Sequence, residues 1–379
     1  MNRLLVAFAC LIAGAFPVAA RSQPLAAPAV AARAFVLLDT LSGQVLAAAA
    51  ADERFEPASL TKMMTAYLAF DALRSGKLQA GATVTVAAAA VRAPGARTFL
   101  VAGKPVLVDD LLRGMVVQSG NDAALALAEA VAGSEQAFVE RMNAQAARMG
   151  LHDTHFANAT GQPAPEHHAS ARDLASLAAA LIRDFPQEYA QRYAQKEYTY
   201  GGVRQANRNR LLWIDPTVDG VKTGFTESAG YCLVASARRG ERRLISVVLG
   251  AQSDTLRISE SQKLLNFGFQ AYDTRRLYRR GEAVSSPEIY KGIRNHAALG
   301  FDRDIWLTLP RDRFAGLRAV LETRQPFVAP LAAGEKAGIM KLMRDNVTVA
   351  EFPVVALEDV PVGGFLSRGW DTLRLLFRH

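Results

Sequence analysis

Apolar residues recur along this chain in two rhythms, and the change from one to the other outlines its architecture. Residues 34–38 and 44–48 are short apolar runs on either side of the turn-rich segment 39–43, a pattern that predicts a β-hairpin. A second antiparallel pair is expected at 231–237 and 244–249, joined through Arg239-Gly240-Glu241. Between the two pairs the helical period dominates. Leu60, Met63, Met64, Tyr67 and Leu68 stand at i, i+3, i+4, i+7 and i+8, one stripe of a helix that opens after Pro57 and closes before Gly76. Other helical patterns end near Val117 or cover 122–131, 174–182 and 258–269. The expectation is an α+β fold, with one antiparallel sheet made from both ends of a domain and helices on its faces.

Past Arg275-Arg276 and Arg279-Arg280 the pattern shifts to short β-like runs at 304–309, 316–322 and 347–355, separated by Pro and Gly, which read as a small all-β module. At the C-terminus Leu366, Trp370, Leu373 and Phe377 fall at i, i+4, i+7 and i+11, while Ser367, Asp371, Arg374 and Arg378 repeat that spacing one position later. This is an amphipathic helix suited to an anionic membrane surface, and packing on the β module would use the same face. At the other end Arg3, the apolar stretch 4–16 and Val18-Ala19-Ala20 form a secretory signal. The stretch is shorter than the roughly 20 residues of a spanning helix. The expected organisation is a signal at 1–20, an Ala- and Pro-rich leader at 21–32, a main domain at 33–277, a β domain at 278–360 and the amphipathic helix at 361–379.

Composition changes this picture little. The 379 residues exceed what one core usually organises, and half of them are hydrophobic, too many for a disordered chain. Cys10 falls inside the signal, so Cys232 is the sole cysteine of the mature chain, and its apolar neighbours predict a packed thiol. The net charge of +8 is spread rather than clustered and no nucleic-acid motif accompanies it, so no nucleic-acid partner is expected. His152 and His155 lack a third ligand of similar placement, and H-E-x-x-H is absent; neither a metal nor another cofactor is expected.

The candidate chemistry lies in three tracts: Ser59-Leu60-Thr61-Lys62, Ser119-Gly120-Asn121 and Lys222-Thr223-Gly224. A serine hydroxyl is barely ionised at neutral pH and needs a base beside it. Lys62, three residues on, projects from the same helix face and qualifies if desolvation and the cation of Lys222 keep it neutral. Ser119 can relay a proton to a departing amine, and the sequence leaves open which of Lys62 and Ser119 is the principal base. Asn121 suits a substrate peptide amide, and Lys222 with Thr223 suits a terminal carboxylate. The strand carrying Lys222 offers its backbone to a substrate added as a further strand. At the helix start, backbone N–H groups point toward a developing oxyanion.

In their wider contexts, Pro57-Ala58-Ser59-Leu60-Thr61-Lys62-Met63-Met64-Thr65, Ser119-Gly120-Asn121-Asp122-Ala123 and Val218-Asp219-Gly220-Val221-Lys222-Thr223-Gly224-Phe225-Thr226, these tracts resemble the penicillin-recognising serine enzymes. Within them the chain is similar to the D-alanyl-D-alanine carboxypeptidases of the low-molecular-mass penicillin-binding type, from about Ala34 to the C-terminus. Gly120 stands where β-lactamases usually carry Asp. The resemblance implies removal of the terminal D-alanine from peptidoglycan stem peptides through a Ser59 acyl-enzyme. It also implies β-lactams as covalent inhibitors, and a peripheral location on the periplasmic face of the inner membrane through the C-terminal helix. It places the oxyanion hole at the N–H groups of Ser59 and Phe225 and adds Gly224 and Phe225 to the substrate-binding set. Arg257 matches a family arginine near the carboxylate site and Arg208 matches another basic position, both added to the substrate-binding set with surface ion pairing as the alternative. The segment 168–173 resembles a family link whose residues cap the next helix. Gln162 departs from the apolar residue more usual there. A D,D-endopeptidase has the same machinery, a β-lactamase would look to Glu166 for deacylation, and an inactive wall-binding scaffold is the non-enzymatic reading.

Overall fold

A computed structural model describes residues 25–376, so the signal, the first part of the leader, Phe377 and Arg378 lie outside the described residues. The chain divides into two compact units, a larger one over Ala26–Arg276 with Trp306–Arg311, and a smaller one from Leu277–Ile305 and Asp312 onward.

The larger unit is built on a five-stranded antiparallel sheet. Its strands run in the order Val45–Ala49, Ala34–Asp39, Arg242–Ala251, Gly230–Arg239 and Val218–Thr226, so the N-terminal hairpin joins the later strands in one layer. Side chains alternate between faces. Ala34, Val36, Cys232, Val234, Ile245 and Val247 enter one core, shared with the helices Lys62–Arg74, Asn121–Ala132 and Ala171–Asp184. Phe35, Leu37, Leu233, Ala235, Leu244 and Val248 enter the other, covered by the helix Asp254–Ala271. Burial on both faces is why these strands read as unbroken apolar runs.

The helix Lys62–Arg74 is more deeply placed than a single stripe suggested. Met63 through Phe70 are all buried, so it is a central helix enclosed on every side rather than an amphipathic surface one. Ser170 caps the helix Ala171–Asp184 by accepting from Asp173 N–H at 3.1 Å, the capping role read for that segment. Residues 25–32 of the leader have no regular structure, yet Ala29 O accepts from Lys263, and Val30 and Ala32 pack on the Phe35 face. The run at 304–309 forms the strand Ile305–Pro310, which pairs with Tyr272–Tyr278 and belongs largely to the larger unit rather than to the β module.

The smaller unit has a five-stranded sheet in the order Ala283–Ser285, Leu299–Gly300, Val347–Ala356, Lys336–Arg344 and Arg318–Thr323, over a core that includes Leu299, Phe301, Met340, Val354 and Ala356. The helix Phe365–Leu376 meets this unit through polar groups. Asp371 accepts from Lys291 N–H at 2.6 Å, and Arg374 pairs with Glu288 at 2.8 Å. Its apolar side is left outward, with Trp370 65% exposed and Phe365, Leu373 and Leu376 exposed beside it.

Candidate active site

The first tract begins in a tight 3-10 turn, Ala58–Thr61, that runs into the helix at Lys62. Lys62 Nζ donates to Ser59 Oγ at 3.0 Å and to the carbonyl of Thr160 at 2.6 Å. The amine is enclosed, 1% exposed, and burial pulls its pKa down from 10.5 to about 7, with Arg208 adding to the effect and Asp122 opposing it. Lys222, the cation the sequence suggested, is coupled to Lys62 as well, through the depression of its own pKa. Near neutral pH a large share of Lys62 carries a lone pair, and the sense of the bond then reverses, with the Ser59 hydroxyl donating to the amine.

The second tract follows a wide helical turn at Gly114–Gln118, and Ser119 adopts a left-handed backbone with φ of 69°. Such a conformation is costly for a non-glycine residue and is held here by its surroundings. Asn121 opens the next helix. Its amide nitrogen donates to Pro94 O at 2.5 Å, which leaves Oδ1 as the group free to meet a ligand. The hydroxyl of Ser119 and Oδ1 of Asn121 are both buried with no partner among the described residues, each at a cost of roughly 1–3 kcal/mol unless something binds. Asp122 accepts from the N–H groups of Thr98 and Leu100 and so fixes the segment that brings Gly95 and Ala96 to the cavity wall.

The third tract lies in the middle of the strand Val218–Thr226, and this strand is the sheet's edge. Its outer side runs against the nucleophile turn. A Cβ on Gly224 would come within 3.1 Å of Pro57 O and 3.2 Å of Ala58 Cβ, so glycine is what permits the approach. Lys222 is buried, and its pKa is pushed well below its ordinary value by desolvation first and then by Lys62, Arg208 and Arg257. An entering carboxylate relieves this crowding of cations.

Ser59, Ser119, Asn121, Thr223, Gly224, Phe225, Arg208 and Arg257 line one cavity of about 380 Å³. Lys62 and Lys222 are enclosed behind it. Arg257 is not a surface residue: its guanidinium is buried, donates to Gly224 O at 3.0 Å and pairs with Asp254. Arg208 is exposed at the cavity and has no ion pair among the described residues. The Phe225 ring lies 4.4 Å from that of Tyr231. Glu166, where a β-lactamase reading looked for a base, is exposed and does not line the cavity. A larger cavity of about 800 Å³ in the smaller unit is lined by residues such as Phe327, Leu331 and Lys336, and holds no comparable nucleophile and base.

Sequence reasoning missed part of the wall. Thr160, Gly161 and Gln162 close the site opposite the third tract, with Asn158 Oδ1 accepting from the N–H groups of all three. A Cβ on Gly161 would sit 1.8 Å from Ala58 O, which shows how closely this loop packs on the nucleophile turn. Only Gln162 carried a signal, as a departure from the usual residue. Gly95, Ala96 and Tyr231 carry none, because they bring shape rather than reactive groups.

Residues 20–253 match the family described as D-alanyl-D-alanine carboxypeptidase, and residues 272–362 match the penicillin-binding protein 5 C-terminal domain. The chain belongs to the D-alanyl-D-alanine carboxypeptidase family. It is 42% identical over 368 residues to the D-alanyl-D-alanine carboxypeptidase DacC of Escherichia coli K12, covering 95% of this chain and 92% of that protein. DacA of the same organism is 42% identical over 361 residues, covering 93% and 89%. Penicillin-binding protein 5 from Haemophilus influenzae superposes with a TM-score of 0.86 at 39% identity, over 89% of this chain and 99% of that one. Membership makes the protein an enzyme, a carboxypeptidase of the low-molecular-mass penicillin-binding type. The α+β fold and its C-terminal β domain are those of the family. Among the described residues of the carboxypeptidase, no group of three His, Cys, Asp or Glu side chains is placed to hold a metal.

Proposed function

We propose that this D-alanyl-D-alanine carboxypeptidase works through Ser59, with Lys62 as its base, on the stem peptides of peptidoglycan. The observation that carries the reading is the 3.0 Å approach of a buried amine, its pKa drawn down by desolvation, to the serine hydroxyl. Ser59 Oγ attacks the carbonyl carbon between the two terminal D-alanines while its proton passes to Lys62. The oxyanion is met by the N–H groups of Ser59 and Phe225. The proton taken up by Lys62 returns through Ser119 to the departing D-alanine amine, and water then hydrolyses the ester on Ser59, giving its own proton to Lys62. Asn121 Oδ1 accepts from a substrate amide N–H. Lys222 and Thr223 meet the terminal carboxylate, with Arg208 and Arg257 contributing positive charge. Gly224 lets the edge strand come close against the nucleophile turn, so that a substrate backbone added along that strand reaches Ser59. β-Lactams acylate the same serine as mimics of this amide.

The same reading makes the protein an exported, peripheral one on the periplasmic face of the inner membrane. The signal-like N-terminus supports export, and the outward Phe365, Trp370, Leu373 and Leu376 support attachment through the C-terminal helix. No helix among the described residues is long and apolar enough to cross a membrane. Release of free D-alanine from a stem pentapeptide, lost in Ser59→Ala, tests the reaction, and a crosslinked dimer offered in parallel separates carboxypeptidase from endopeptidase preference.

A further inference from the structure

A histidine that takes no part in these steps braces the site from behind. His167 is 4% exposed, and each ring nitrogen has a partner. The N–H of Ala157 donates to Nδ1 at 3.1 Å, which fixes the proton on Nε2, and Nε2–H donates to Thr61 Oγ1 at 2.8 Å. Thr61 is the last residue of the nucleophile turn and the neighbour of Lys62. Ala157 opens the loop whose Thr160 carbonyl accepts from Lys62 Nζ. The same loop is held to the helix further along by Thr65 Oγ1, which donates to Ala159 O at 2.7 Å. The imidazole therefore spans the two pieces of backbone that hold the base.

We propose that His167 is a positioning residue for Lys62: as a neutral imidazole it ties the 157–162 loop to the nucleophile turn and so keeps water away from the amine. The inference rests on the assignment of Lys62 as base to Ser59. The imidazole is kept neutral across the working range. Burial pulls its pKa from 6.5 to about 4, with the facing His155 and His168 working in the same direction and Glu56 against them. Protonation would set two N–H groups against each other at Ala157. Loss of the brace lets water reach Nζ. Desolvation is the largest cause of the low Lys62 pKa, so its hydration moves that pKa upward.

The test is the rate of acylation of the full-length protein by a fluorescent penicillin, followed against pH for wild type, His167→Ala and His167→Gln. A glutamine can accept from Ala157 N–H and donate to Thr61 without titrating. The alanine variant is expected to acylate about ten-fold more slowly near neutral pH, with its acid limb displaced to higher pH, while the glutamine variant keeps the wild-type limb. Thr61→Val, which removes the acceptor and keeps the volume, is expected to show the same displacement and serves if the alanine variant does not fold. A slower variant whose limb stays at the wild-type pH overturns the proposal, as does a folded glutamine variant with a displaced limb. Wild-type protein that is not labelled, or labelling that survives Ser59→Ala, would instead sink the Ser59 reading itself.

Discussion

Among single residues, reactivity turns on where the proton sits. Lys62 has an ordinary pKa of 10.5 and a folded one of about 7, so the fraction able to accept the Ser59 proton grows as pH rises through 7. Penicillin acylation should therefore climb roughly ten-fold per pH unit below that point and level off above it. A rate that stays flat from about pH 5 to about pH 9 would contradict Lys62 as base. Gly161 makes a sharper structural prediction. Its φ is +85° and an added Cβ would meet Ala58 O at 1.8 Å, so Gly161→Ala combines a disfavoured backbone with a backbone clash. It should cost about 2–4 kcal/mol in denaturant unfolding and should slow acylation, because the nucleophile turn is what must give way. Ser59, Lys62, Ser119, Asn121 and Lys222 were all legible in the sequence, since reactive groups at fixed spacing announce themselves. His167 was not, for a histidine beside another histidine in a polar loop shows nothing of its burial or its two partners.

At the scale of elements, the two strand pairs and the helices expected at 122–131, 174–182 and 258–269 were readable because their apolar runs are long and each ends in a turn signal, whereas the helices Glu135–Arg148 and Pro186–Arg192 were not. The hairpin expected at 34–38 and 44–48 appears as Ala34–Asp39 and Val45–Ala49. What local pattern could not give was the depth of the helix Lys62–Arg74, which depends on elements packing from several directions, or the partner of the run at 304–309, which is set by distant pairing. The loop 157–167 has a pH dependence of its own. An unfolded histidine titrates near 6.5 and His167 in place near 4, so the unfolded state gains a proton that the folded state refuses as pH falls through this window. Stability contributed by the neutral imidazole is full above about 6.5 and is lost toward 4. His167→Gln should flatten this loss by about 3 kcal/mol in unfolding titrations at the two ends of the window. A wild-type and variant difference that does not change with pH would count against the buried neutral form.

At the scale of the whole molecule, the larger unit carries the reactive cavity, and the smaller unit carries a β sheet and a helix whose apolar side is turned outward. Arg374 and Asp371 face the smaller unit while Trp370 and Leu373 do not, so the helix is held by its polar groups and keeps its apolar ones free. Immersing those side chains contributes roughly several kcal/mol, with anionic lipid adding to it. Protein ending at residue 364 should lose co-sedimentation with anionic vesicles while releasing D-alanine from a soluble peptide at the full-length rate. The nucleophile is identified on the intact chain by incubation with penicillin, digestion and mass spectrometry of the acylated peptide. One adduct is expected, on Ser59, absent in Ser59→Ala and strongly reduced in Lys62→Ala; an adduct on any other residue, or an unchanged one in either variant, would rule out Ser59 as nucleophile with Lys62 as its base.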